Sequence, residues 1–145
     1  MAAAAAAAVL PTSPTTARAQ AGTAESFETA QQAIVRGRTP RTGGIAIDMP
    51  PLSENGNSVD VSIRVDSPMT AADHVRAIHV LSPKNPHPRV ATFHLGPRAG
   101  RAEVATRIRV ATTQSIVVLA ETSTGALLRA EREVIVVLGA CVEGG

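Results

Sequence analysis

Residues 59–65 read Val-Asp-Val-Ser-Ile-Arg-Val, with an apolar residue at every second position and Asp60, Ser62 and Arg64 between them. Successive side chains of an extended chain point to opposite faces, so this segment buries one face and wets the other only as a β-strand. The same period governs what surrounds it. Residues 45–49 form a strand candidate just before, and Glu54-Asn55-Gly56-Asn57 supplies an Asn-Gly signal for a turn between the two. Further strands are predicted at 75–81, 89–95, 103–111, 115–121 and 132–138, with Leu127 and Leu128 as an eighth strand or a hairpin arm. Within 103–111, Val104, Ile108 and Val110 share one face and Arg107 and Arg109 the other. Turn clusters separate these runs: Ser67-Pro68, residues 83–88, Gly96-Pro97, Gly100 and Ser123-Thr124-Gly125. About seven short strands spaced in this way predict an all-β sandwich.

The period differs ahead of the strands. Phe27, Ala30, Ile34 and Val35 recur at helical steps within 25–36, with Thr23 as the expected N-cap and Gly37 as the stop before Pro40. Two strand candidates, 116–120 and 134–138, are apolar on both faces. Such strands are buried twice, and their second faces call for a cover: the N-terminal helix or another subunit.

Aromatic residues are almost absent, Phe27 and Phe93 alone. The core must therefore be Val, Ile, Leu and Ala, and no aromatic platform exists on which nucleic-acid bases could stack. Basic residues exceed acidic ones only by 14 to 12, and they are scattered, so neither a nucleic-acid nor a membrane-surface footprint is present. At 145 residues the chain suffices for one domain with its own core.

The N-terminus reads as an export signal. Ala2 to Leu10 are apolar, residues 11–16 break the run, and Ala17-Arg18-Ala19-Gln20-Ala21 offers small residues at the spacing of a cleavage site. No Lys or Arg precedes Arg18, so the positive n-region is missing; the segment reads either as a truncated signal, the favoured reading, or as a disordered Ala-rich leader. The expected division is a signal peptide at 1–21, helix and linker at 22–42, the sandwich at 43–138 and a flexible arm at 139–145.

Catalytic and metal chemistry find little support. His74, His79, His87 and His94 do not share a tight ligand spacing, and they read as strand-surface or loop residues. No nucleophile elbow, phosphate loop, paired metal carboxylates or CxxC is present, and Asp73-His74 beside scattered serines is too generic for a triad. What stands out is Cys141, the one cysteine, in Gly139-Ala140-Cys141-Val142-Glu143-Gly144-Gly145. One reading is a buried small hydrophobe that finishes the last strand. The favoured reading is an exposed thiol, because no apolar pattern continues past Leu138 and Glu143 would be costly to bury unpaired. An ordinary thiol is only a few per cent ionised at neutral pH, and Glu143 discourages ionisation further. Activation then falls to a partner, which suits a carried group better than a self-contained catalyst.

Four blocks carry a family resemblance: residues 53–57 (Ser-Glu-Asn-Gly-Asn), 66–75, Asn85-Pro86-His87-Pro88 with Val90-Ala91-Thr92-Phe93-His94, and 105–109. Together, in this order, they resemble the SoxY family, the carrier subunit of bacterial thiosulfate oxidation. The resemblance implies an immunoglobulin-like antiparallel β-sandwich, export to the periplasm, a heterodimer with a SoxZ subunit, and no cofactor of its own. It also implies transient docking to a haem-containing enzyme, a hydrolase and a dehydrogenase, which in turn load, trim and oxidise sulfur held on a cysteine of a Gly-Gly-Cys-Gly-Gly arm. By position, Cys141 matches the carrier cysteine and Gly139 the first glycine. Ala140 replaces the second glycine, and Val142 and Glu143 stand between the cysteine and the closing Gly144 and Gly145. A methyl at 140 and a branched side chain at 142 stiffen the chain beside the thiol. Two other classes compete with a carrier. A thiol enzyme would need a positive or hydrogen-bonding pocket around Cys141. A pure interaction module would leave the cysteine incidental or use it for an intermolecular disulfide.

Overall fold

The computed structural model describes residues 23–140, so both the predicted signal peptide at 1–21 and Cys141 to Gly145 lie outside the described residues. One helix, α1 (Phe27–Val35), precedes nine strands: β1 (Arg41–Thr42), β2 (Ile45–Asp48), β3 (Leu52–Asn55), β4 (Val59–Val65), β5 (Val75–Leu81), β6 (Arg89–His94), β7 (Ala102–Ile108), β8 (Gln114–Thr122) and β9 (Leu127–Leu138). The smaller sheet runs β2-β4-β7 and the larger β1-β9-β8-β5-β6, with β3 added beside β9.

The alternation in β4 does what its period requires. Val59, Val61, Ile63 and Val65 are buried, and they pack with Ile78, Val80, Ile116, Val118, Ala120 and Val134 of the larger sheet. This is the expected β-sandwich, built from aliphatic side chains. Most pairings are antiparallel, but β1 and β3 run parallel to β9. Arg41 and Thr42, placed in the linker by sequence, thus belong to the sheet.

The Asn-Gly turn is present at Gly56 and Asn57, but it does not join the two strands as a hairpin. Residues 45–48 and 59–65 do pair antiparallel, Ile47 opposite Ile63, yet Leu52–Asn55 leaves them to join β9 in the other sheet. Gly56 therefore sits where the chain crosses between sheets rather than at a hairpin tip. Leu127 and Leu128 form the hairpin arm that sequence offered as one alternative: they open β9, one continuous strand of 12 residues that includes the predicted 132–138 strand and lies antiparallel to β8 over Leu127–Val134.

Helix α1 lies on the outer face of the larger sheet, where Ile34, Phe27 and Val35 pack on Leu81, Val117, Leu119 and Leu127. Its N-cap is Ser26 rather than Thr23: the Ser26 hydroxyl accepts from the Thr29 amide at 3.1 Å. The helix ends at Arg36, whose amide still bonds the Gln32 carbonyl while its left-handed backbone turns the following chain out of the helix. Arg38 then folds back: its side chain donates to the Ile34 carbonyl at 2.6 Å and to the Val35 carbonyl at 3.0 Å, which its own amide also bonds at 3.0 Å. The same guanidinium bonds Glu121 on β8, which also meets His79 Nε2 at 2.9 Å. Burial by itself raises the Glu121 carboxyl, but hydrogen bonds and charge from His79 and Arg38 outweigh it and hold the group below the usual carboxylate range. At the other end of the helix, Glu25 takes a two-pronged bond from Arg89 on β6, both contacts 2.8 Å, and that hydrogen bond lowers its carboxyl too.

Candidate functional site: the root of the C-terminal arm

Beyond Val134, β9 outruns β8 and continues with β3 alone as its paired strand, Leu52 opposite Ile135 and Asn55 opposite Leu138. The backbone then threads through three hydrogen bonds. The Gly56 amide donates to the Leu138 carbonyl at 2.8 Å, the Val110 amide to the Gly56 carbonyl at 2.8 Å, and the Ala140 amide to the Val110 carbonyl at 3.1 Å. Packing at this crossing admits no side chain at two positions. A Cβ on Gly56 would lie 2.2 Å from the Val110 carbonyl oxygen, and one on Gly139 would lie 2.1 Å from that of Ala111. Ala140 is 7% exposed, its methyl inside. Burial thus resumes at Ala140, two residues past the exposed Leu138, where the apolar pattern in the sequence stops.

The 109–114 connection that receives Ala140 is itself braced. Asn85 Oδ1 accepts from the Ala111 amide at 2.9 Å and Asn85 Nδ2 donates to the Arg109 carbonyl at 2.8 Å. Gln114, 4% exposed, spends both ends of its amide: Nε2 donates to Asn85 Oδ1 and the Thr112 carbonyl at 3.1 Å each, and Oε1 accepts from the Ser82 hydroxyl at 2.8 Å and the Lys84 amide at 2.9 Å. Thr113 Oγ1 accepts the Val136 amide at 2.9 Å. Each of these polar side chains, costly to bury alone, has a partner here.

Next to this root lies a bare apolar surface. Leu52, Ile135, Val137 and Leu138 are 50%, 46%, 62% and 68% exposed. By register and alternation Leu52, Ile135 and Val137 share one face of this strand pair, and Leu138 lies at its end.

Of the residues expected in the site, Gly139 and Ala140 stand at the root, while Cys141, Val142, Glu143, Gly144 and Gly145 lie outside the described residues. The histidines are not brought together. His79 bonds Glu121 and Thr92, and His74 Nδ1 lies 3.0 Å from the Thr70 carbonyl. Among the described residues no three His, Cys, Asp or Glu side chains gather in a metal-holding group, and no helix is long and apolar enough to cross a membrane. In the sequence Gly56, Asn85 and Val110 stood for a turn, a family block and a strand face rather than for a site, and Gln114 for nothing. One signal for them was present: a Gln at the head of a strand apolar on both faces has to find buried partners.

Residues 31–141 match the family model of the sulfur oxidation protein SoxY. The chain belongs to the SoxY family. A solved member, the sulfur carrier protein SoxY from Chlorobium limicola f thiosulfatophilum, is 34% identical with a TM-score of 0.62 over 77% of this chain and 98% of its own. The superoxide reductase (neelaredoxin) from Ignicoccus hospitalis is 16% identical, with a TM-score of 0.57 over 75% of this chain and 91% of its own. A superoxide reductase from Nanoarchaeum equitans is 12% identical, at a TM-score of 0.54 over 66% and 99%. At such identities the reductases share the sandwich alone. No curated protein matches the chain.

Proposed function

We propose that this SoxY-family chain is a carrier rather than an enzyme, and that Cys141 holds the sulfur intermediates of thiosulfate oxidation as covalent adducts. The observation that carries the reading is that the family match ends at residue 141, the chain's single cysteine. The solved relative, one third identical over nearly its whole length, is described as a sulfur carrier protein. Loading joins the Cys141 thiolate to the outer sulfur of thiosulfate and forms a sulfur–sulfur bond. The reactants carry three negative charges and the product one, so two electrons must leave. The chain itself offers no acceptor, and a haem-containing partner is the class that takes them. Water then attacks the terminal sulfonate in a hydrolase, which releases sulfate with two protons and leaves a persulfide anion on Cys141 for a dehydrogenase to oxidise. The chain's part is to present the thiol on residues 139–145.

The bare end of β9 supports the partner side of the reading. Leu52, Ile135, Val137 and Leu138 form the surface on which a SoxZ-like subunit docks in a heterodimer. Export to the periplasm belongs to the same proposal and rests on the small-residue leader in the sequence. Replacing Cys141 with Ser tests the assignment: partner binding should survive and sulfur-oxidising activity in the reconstituted system should vanish. Retained activity would remove Cys141 from the pathway. Ala140, Val142 and Glu143, which depart from an all-glycine arm, favour one second reading, a non-carrier interaction module. In that case the substitution would change nothing because the unaltered chain would be inactive beside an active Gly-Gly-Cys-Gly-Gly control.

A further inference from the structure

We propose that β7 is a self-pairing edge: two copies of this chain join β7 to β7, antiparallel about a two-fold axis at Ala105, so that their two β2-β4-β7 sheets become one. The inference goes beyond the carrier reading and does not depend on it.

Strand β7 ends the smaller sheet on one side, paired with β4 through all 7 of its residues and with no strand beyond it among the described residues. Which of its backbone groups face outward follows from the neighbouring bonds. The Asp66 amide donates to the Gly44 carbonyl at 2.8 Å, in register with the β2–β4 pairing, so Asp66 and the alternate residues Arg64, Ser62 and Asp60 turn their backbone groups toward β2. Val59, Val61, Ile63 and Val65 then turn theirs toward β7, where they meet Ile108, Thr106, Val104 and Ala102. That leaves the N–H and C=O groups of Glu103, Ala105 and Arg107 directed away from the sheet. An edge of this kind is a template for another strand unless proline, a bulge or repelling charge blunts it. Strand β7 holds no proline, and its pairing with β4 runs without a shift.

Its side chains supply the complement. With Ala105 opposite Ala105 of the second copy, Glu103 stands opposite Arg107 of that copy and Arg107 opposite its Glu103. These are the same residues whose free amides and carbonyls meet. Within the chain Glu103 and Arg107, both exposed, lie opposite Arg64 and Asp60, and Arg107 bonds Asp60 at 2.9 Å. In the joined sheet charge therefore alternates along a row: Asp60, Arg107, then Glu103 and Arg64 of the copy. Ala105, exposed and small, stands at the axis, where a bulky side chain would meet its own copy. Beyond Ile108 the backbone leaves the edge, the Arg109 carbonyl accepting from Asn85 Nδ2 at 2.8 Å, so Arg101 and Arg109 lie outside the pairing. One patch meets itself, which closes a pair instead of extending a filament. Strand β2 packs near β9 and β7 lies on the far side of the smaller sheet, so the join leaves each bare end of β9 open.

Sedimentation velocity of the full chain over a concentration series, in thiol reductant so that no disulfide supplies the pair, should show a reversible dimer that weakens as salt is raised. Glu103→Lys and Arg107→Glu, each alone, set like charges across the axis and should weaken the dimer tenfold or more. An equal mixture of the two variants should restore it, because each then meets its opposite; mixing could not repair a loss of structure. Ala105→Pro removes an amide that β4 does not use and should abolish the dimer while unfolding stays cooperative. A monomer at every concentration overturns the proposal. So does a dimer that withstands both charge variants, or one that yields to Val137→Asp instead and so sits on the bare end of β9. A monomer whose binding of a SoxZ-like subunit is weakened by Glu103→Lys would give the edge to that partner and refute self-pairing.

Discussion

Strand β8 and the last four residues of β9 are both apolar on both faces, and they meet different surroundings. In β8, Ile116, Val118 and Ala120 face the sandwich interior, while Val117 and Leu119 are sealed by Ile34, Phe27 and Val35 of α1. At the end of β9 only Val136 turns toward the core, and Ile135, Val137 and Leu138 remain half to two-thirds exposed with Leu52 beside them. A doubly apolar strand thus announces a cover without naming it. One cover is supplied by nine residues of the same chain, tied down at Arg89 and Glu121. The other strand end has no cover among the described residues.

Three experiments break or sharpen this contrast. The largest effect is expected under the helix: Leu119→Ala empties a fully buried site and should cost about 2–5 kcal/mol in denaturant unfolding. Leu138→Ala at the open end should stay within about 0.5 kcal/mol. Equal losses would mean that the two ends are packed alike. Next, Val137→Asp should leave stability unchanged and weaken binding of a SoxZ-like subunit tenfold or more, about 1.4 kcal/mol, by titration calorimetry. Unchanged affinity would place the partner elsewhere.

The smallest effect concerns the helix clamp. The Glu121 carboxyl is held below its unfolded value, so its ion pairs contribute fully above the unfolded pKa of about 4.3 and are lost as pH falls through the folded one. Amide exchange of α1 should therefore quicken in acid. Glu121→Gln should quicken it at neutral pH and flatten the acid response, whereas an unaltered acid response would assign the loosening to other carboxylates.

How far the sequence told this story depended on side-chain periodicity. The alternation of β4 and the double burial of β8 could be read because each side chain reports its own face. Strand β3 could not: Leu-Ser-Glu-Asn has no apolar period, and it pairs through its backbone with a strand more than 80 residues on. The start of β9 was hidden in the same way, since residues 129–131, Arg-Ala-Glu, read as a gap between Leu127-Leu128 and the predicted 132–138 strand. The arm root is built from amides and carbonyls of Gly56, Val110 and Ala140, which carry no sequence signature, and Gly56 imitated a hairpin turn. The cysteine itself was legible, because a single thiol on a glycine-rich tail needs no fold to be noticed.

The most direct test of the carrier assignment is the non-reducing intact mass of the protein after incubation with thiosulfate and its native partner enzymes, before and after a thiol reductant. The account predicts a sulfur or thiosulfonate adduct on Cys141 that the reductant removes. An unmodified Cys141, beside a Gly-Gly-Cys-Gly-Gly control that loads normally, would contradict it.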